Sequence, residues 1–259
     1  MKKIFQLLIA VIIFTGLGCA SNDEKKLAEM LKKNPQILYD VIEQNPAEFL
    51  TVLNRAAKKA QEQMYASQMS QRQQAVEEEM KSPKKPVLDQ TSRLYGTDQA
   101  KITIVEYADF QCPACSMAHQ SLKELKKRRG DQIQFHYKHM PLDFHPMAMP
   151  AAQYFEAIKL QDQKKAYAFY NYVFENQRQM KDEAFLKKAA QTVKADLKKI
   201  AADLKSDKVQ KRIDQDMEEF QNFGYTGTPV ILINGITMSG AQPVEQLEQM
   251  IDRLSTQKQ

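Results

Sequence analysis

Tryptophan is absent from the 259 residues, histidine occurs four times and cysteine three times. So few cysteines exclude a disulfide framework. Cys19 closes an apolar N-terminal run, which leaves Cys112 and Cys115 as the single pair of the folded part. A pair that close in sequence constrains little of the unfolded chain, so it cannot staple a fold, and chemistry is the better reason for it. Strong charge is missing too. The formal net charge of +5 falls to +3 without Lys2 and Lys3, which gives nucleic-acid binding little support and makes the many lysines solvated helix faces. Methionine and glutamine are plentiful, and neither abundance points to a ligand. The length suits one large domain, or an ordinary domain with an accessory part.

Lys2 and Lys3 precede an apolar run from Ile4 to Gly18 broken only by Gln6 and Thr15. This is the pattern of an export signal over 1–18, too short and too abruptly ended for a membrane span. Leu17-Gly18-Cys19 resembles a bacterial lipobox, with Gly16 where such boxes usually carry leucine. Cleavage before Cys19 would leave a lipidated cysteine and an anchor in the membrane. Cleavage before Ser21, between small residues, and an uncleaved anchor are the competing readings. All three put the folded chain in the periplasm or cell envelope, where disulfide chemistry is possible.

Residues 22–80 are polar and lack glycine. Asn34-Pro35 and Asn45-Pro46 predict two helix starts, each with asparagine as N-cap and proline at the first helical position. After Pro46, the apolar residues Phe49, Leu50, Leu53, Ala56, Ala57, Ala60 and Met64 form one stripe of a helix that runs to about Met80, roughly 50 Å in all. A stripe so narrow does not fold alone, so 22–80 is expected to pair with other copies as a homo-oligomerisation region. Lys81-Ser82-Pro83-Lys84-Lys85-Pro86 then begins a linker over 81–90.

The remainder reads βαβ, then helices, then ββα. Ile102 to Tyr107 is β-branched and aromatic, a buried strand. Cys112-Pro113-Ala114-Cys115 follows, and a helix over 113–129 ends at Gly130. A strand that turns through Cys-x-x-Cys into a helix puts the first sulfur at the helix N-terminus, where unpaired amides favour a thiolate. Residues 133–138 give a second strand, and a helical block from about Pro146 to Phe223 is punctuated near Met180 and Ala195. Strands at 230–233 and 236–239 flank Asn234-Gly235, a hairpin signal, and a helix from Pro243 to Leu254 closes the chain.

This order resembles the thioredoxin fold interrupted by a helical insertion, as in DsbA-type thiol-disulfide oxidoreductases. The fold class is therefore α/β, with a DsbA-like domain over 91–255, its insertion at about 146–223, and a helical N-terminal extension. The resemblance rests on Val105 to Cys115, on Tyr137-Lys138-His139-Met140-Pro141-Leu142, and on Gly227-Thr228-Pro229. It implies that Cys112 is the exposed nucleophile, Cys115 the buried resolving thiol, and Thr228-Pro229 the cis-proline loop facing them. It also implies that Glu106 relays a proton to or from Cys115, with Lys138 able to pair with it; the alternative is that Glu106 merely reaches solvent at the strand end. No cofactor or metal is implied. DsbA carries histidine where Ala114 stands here, so Cys112 is expected to be acidic but less so, and the disulfide less oxidising. Thr228 points the same way, toward an isomerase or reductase acting on unfolded or misfolded extracytoplasmic proteins with a membrane redox partner. The alternatives are a DsbA-like oxidase and a non-catalytic lipoprotein that kept the fold.

Two metal readings compete with redox chemistry. Cys112, Cys115 and His119 have zinc-ligand spacing, with His136, His139 or His145 as a fourth ligand. Met140, Met147 and Met149 could hold copper, although lining for a substrate groove is the blander reading of them. Ser116 stands where covalent haem attachment needs histidine, which excludes it.

Overall fold

The computed structural model describes residues 20–88 and 92–256, so the expectations for the signal at 1–18 and for Cys19 lie outside the described residues. The chain divides after Arg72 into two compact units.

In the first unit, α1 (Ala20–Lys33), α2 (Pro35–Gln44) and the start of α3 (Pro46–Lys81) follow the two Asn-Pro steps. Each proline begins its helix as expected, but the asparagines do something else. Asn34 makes no side-chain cap to α2; its amide donates back to the Met30 carbonyl at 3.2 Å, and Asn45 donates to Val41 at 3.2 Å. The last carbonyls of the preceding helix are as short of partners as the first amides of the next, and here they win the side chain. Ile37, Leu38, Val41, Leu50 and Leu53 are all between 43% and 55% exposed, so the apolar faces of this unit stay uncovered.

The second unit starts at Gln73, inside α3, and buries Val76 in its main core. Its sheet has the order β1-β3-β2-β4-β5. These strands are β1 (Arg93–Tyr95), β2 (Ile102–Ala108), β3 (Ile133–His139), β4 (Val230–Ile233) and β5 (Ile236–Ser239). β2 lies at the centre, parallel to β3 and antiparallel to β4. All its residues but Thr103 are buried, as a central strand covered on both faces requires.

Alternation along β2 sorts the chemistry onto two faces. Ile102, Ile104 and Ala108 join the core beneath α4 (Pro113–Arg129), whereas Val105 and Tyr107 join Val230, Leu232 and Phe220 in a smaller cluster on the other side. Leu122 and Leu125 of α4 are buried against the first face, each worth about 1.5–3 kcal/mol. The insertion supplies α5 (Ala148–Lys159), α6 (Gln163–Glu175), α7 (Glu183–Thr192), α8 (Leu197–Asp203) and α9 (Asp207–Asn222), and α10 (Val244–Thr256) ends the fold. The breaks near Met180 and Ala195 fall where expected, while those at 160–162 and 204–206 were not foreseen. Asp162, Asp182 and Asp196 each cap the next helix by accepting from its first amides. β1 was also unforeseen; at three residues it is too short for a periodic signal.

The described part of the expected linker 81–90 is docked chain. Lys84 N–H donates to Gly235 O at 3.0 Å, its ammonium lies 5.5 Å from the Phe223 ring centre, and Val87 N–H donates to Glu219 at 2.6 Å. The hairpin turn makes room for this strap: Asn234 and Gly235 have φ of 49° and 87°, and a Cβ on Gly235 would lie 2.4 Å from Lys84 O. Gly224, at φ 80°, has nothing within 4 Å of such a Cβ. Gly235→Ala is therefore expected to lower the denaturant-derived stability by at least ~2 kcal/mol, against about 1 kcal/mol for Gly224→Ala. Equal losses would show that the strap does not press on the turn.

Candidate active site

At the C-terminal end of β2 the chain turns through Asp109, Phe110 and Gln111 into α4, and the backbone of this turn is tied down at each step. Cys112 N–H donates to Asp109 O at 3.1 Å, and Gln177 donates to both Phe110 O (3.0 Å) and Cys112 O (2.8 Å). The Asp109 carboxylate is buried and accepts from the amides of Gln111 (2.6 Å) and Leu142 (3.0 Å) and from His145 Nδ1 (2.6 Å). Cys112 is the extended residue before α4, with Pro113 at the first helical position. The local sequence thus builds a helix N-terminus with a sulfur on it.

Both cysteines are free, and the site treats them oppositely. A hydrogen bond from the Cys115 thiol, opposed by burial and helped by the Cys115 amide, the Thr228 side chain and the Ala114 amide, lowers Cys112 to a pKa of about 5. Burial, reinforced by the hydrogen bond to Cys112 and its charge, pushes Cys115 well above the ordinary thiol range. The Asp109 amide donates to Cys115 Sγ at 3.5 Å. The two sulfurs differ in the direction the helix start and the resemblance imply, though the expected exposure of Cys112 is absent: it is only 7% accessible and lies against the Thr228 carbonyl. Cys112 Sγ lies 3.7 Å from Thr228 O across a cis Thr228-Pro229 bond. The Thr228 hydroxyl is buried beside the pair and lowers the pKa of either sulfur.

Glu106 does not reach solvent. It is fully buried on the same sheet face as Cys115, with Tyr170 Oη donating to Oε2 at 2.6 Å and no partner for Oε1. Burial, partly offset by that hydrogen bond, raises its pKa to about 8. The expected pairing with Lys138 is corrected by the register. Glu106 aligns with Tyr137, and Tyr107 with Lys138, so the lysine points to the opposite face. There it meets Glu219, which also accepts from Tyr107, with Asp216 at 3.7 Å.

The histidines do not gather around the cysteines. His119 is 2.9 Å from Asn171 Oδ1, His136 2.8 Å from Ser92, and His139 2.8 Å from Glu156, while His145 holds Asp109. Among the described residues no three metal-binding side chains come together. The methionine trio also separates, since Met147 and Met149 pack on the larger core and Met140 on the smaller. Sequence reasoning missed Asp109, Gln177 and Tyr170 and read His145 as a possible metal ligand rather than the partner of Asp109. An acid directly after a buried strand is a signal that could have found Asp109; the other two missed residues come from distant segments.

A family model described as thioredoxin matches residues 88–253. The chain belongs to the thioredoxin family. Among solved structures, this thioredoxin-family chain is similar to the thiol-disulfide exchange protein alpha-DsbA2 of Wolbachia pipientis. The TM-score is 0.56 at 20% identity, over 61% of this chain and 84% of the other, which shows the DsbA-type fold. It is 27% identical over 154 residues to "Probable disulfide bond formation protein D" of Bacillus cereus, covering 56% of this chain and 71% of that protein. A Na(+)/H(+) antiporter, NhaA 1 of Mycolicibacterium vanbaalenii, is 30% identical over 159 residues, or 60% of this chain. The chain spans about a quarter of the length of the antiporters it matches. No helix among the described residues is long and apolar enough to cross a membrane.

The buried carboxyl sets a pH signature. Glu106 titrates at about 8 when folded and near 4.5 when unfolded, so the native state keeps a proton that the unfolded state has lost. The associated stability is complete below the lower value and drains away as pH rises toward the upper one. Relative to Glu106→Gln, the wild type should lose on the order of 3 kcal/mol between about pH 5 and pH 8 in urea unfolding. A difference that stays flat across that window would contradict the buried, protonated acid.

Proposed function

We propose that this thioredoxin-family protein exchanges disulfides with protein substrates through Cys112 and Cys115, in the isomerase or reductase direction. The observation that carries the reading is one acidic and one buried thiol at a helix N-terminus, beneath Thr228 and Pro229. The Cys112 thiolate attacks a substrate disulfide and expels a substrate thiolate, which takes up a proton. Cys115 then loses its proton, attacks the mixed disulfide at Cys112 and releases the second substrate thiol. The substrate is reduced by two electrons and the Cys112–Cys115 pair is oxidised. In isomerisation the first expelled thiolate attacks another substrate disulfide, the substrate thiolate released there attacks the mixed disulfide and frees Cys112, and no net electrons move. Glu106, on the face that holds Cys115, is the group assigned to the proton of the second step.

A Cys112 pKa of about 5 lies between the values of about 7 for thioredoxin and about 3.5 for DsbA. That intermediate acidity supports shuffling, because neither the dithiol nor the disulfide is strongly favoured. The name of the Wolbachia relative, a thiol-disulfide exchange protein, fits this chemistry in either direction, while that of the Bacillus relative, a probable disulfide bond formation protein, fits the oxidase alternative. The export pattern of 1–18 supports a site in the periplasm or envelope, with Cys19 as its lipid anchor and a membrane protein as its redox partner. The uncovered apolar faces of α1, α2 and the start of α3 support a homo-oligomer, which would surround a misfolded client with several active sites.

Refolding of scrambled ribonuclease tests this, comparing the mature chain with one that starts at Gln73 and with Cys112→Ser. The mature chain should restore activity as an oligomer, the shortened chain should be monomeric and at least fivefold slower, and Cys112→Ser should be inactive. Oxidation of reduced ribonuclease without any rescue of the scrambled form would establish the oxidase instead. Equal rescue by two monomeric forms would remove the oligomer.

A further inference from the structure

Glu106 is isolated from solvent and from Lys138, and its single hydrogen bond runs to the inserted helices, through Tyr170 of α6. Tyr170 has a second neighbour of interest. Its ring borders a slot of about 10 Å³, the room of one water molecule, which His119, Lys123, Tyr167 and Asn171 also line. His119 stands one helical turn beyond Cys115 on α4, with its ring centre 5.1 Å from that of Tyr170 and Nε2 2.9 Å from Asn171. Lys123, His119 and Asn171 thus give the slot polar walls beside the Tyr170 ring, whose hydroxyl meets the buried carboxyl.

We infer that Tyr170 is the positioning residue for Glu106, and that this carboxyl exchanges its proton with solvent through the Tyr170 hydroxyl and the slot beside His119. The inference rests on the proton role proposed for Glu106. The transfer balances without a co-reactant: Tyr170 Oη passes its proton to Oε2 as slot water supplies another to Oη, and release runs in reverse. The phenol stays protonated throughout, in keeping with the burial and the Glu106 charge that push its pKa well up. The other titratable groups around the carboxyl are Tyr95 of β1, Tyr137 of β3, Cys115 and His119 of α4, and Tyr167 of α6. Tyr95 and Tyr137 are held above the ordinary phenol range by burial first, and His119 is held below its usual value by burial. None of these three gains charge where Glu106 titrates.

The test is the rate at which Cys115 resolves a mixed disulfide between Cys112 and a small aromatic thiol, followed against pH. Wild type, Tyr170→Phe, Glu106→Gln and the double variant are compared. Loss of the donated hydrogen bond destabilises the carboxylate, so Tyr170→Phe should move the pH midpoint upward by about one unit. It should slow resolution at least threefold below the midpoint, leave the Cys112 titration in place, and add nothing once Glu106 is Gln. A fluorotyrosine at position 170, a stronger donor of nearly the same shape, should move the midpoint downward, which a packing effect does not do. If Glu106→Gln shifts the profile and neither change at Tyr170 does, the inference is overturned and the Glu106 role stands. A Tyr170→Phe effect of equal size in the Glu106→Gln background also overturns it. An unchanged profile in Glu106→Gln removes both, with thiol exchange itself intact.

Discussion

The buried thiol of Cys115 donates to the sulfur of Cys112, and that contact makes two chemically identical side chains behave as different groups. The turn, the helix and the Thr228 loop around the pair each touch it. α4 fixes the spacing, because residues three apart lie on one face of a helix. Gln177 and Asp109 fix the turn that starts α4, and the Thr228-Pro229 loop covers the pair from above. Burial alone would raise both pKa values. The hydrogen bond and the helix-end amides reverse that effect for Cys112 only.

β2 organises the charges around this pair. A period of two along the strand puts Glu106 with the cysteines and sends Tyr107 to the side where Lys138, Glu219 and Asp216 form a buried network. A neutral acid therefore lies on one face of the sheet and a charged cluster on the other. A lysine beside Glu106 would hold it ionised. With a tyrosine as its partner instead, the group stays mostly protonated at neutral pH, and only its ionised fraction can take the Cys115 proton.

The active-site half of the fold was legible in the sequence because its signals are local. The strand, Cys112-Pro113, the helix to Arg129 and the Asn234-Gly235 hairpin each follow from a few adjacent residues, and all are found where expected. What was illegible depends on register or on distant segments. The side on which Lys138 lies needs the alignment of two strands, and the partner of Glu106 comes from 64 residues away. The docking of the strap at Lys84 onto Gly235 spans more than twice that separation, and the strap looked like a linker by composition. At Asn34 and Asn45 the residue type was right for a helix boundary, yet the side chains serve the preceding helix rather than the next.

Titration of the Cys112 thiolate by ultraviolet absorbance, with Cys19 replaced by serine and with or without Cys115→Ala, tests the central claim most directly. The account predicts a midpoint near 5 in the intact pair and a clear upward move when Cys115 becomes alanine. A midpoint near the ordinary thiol value of 9, or one that ignores the loss of Cys115, would contradict it.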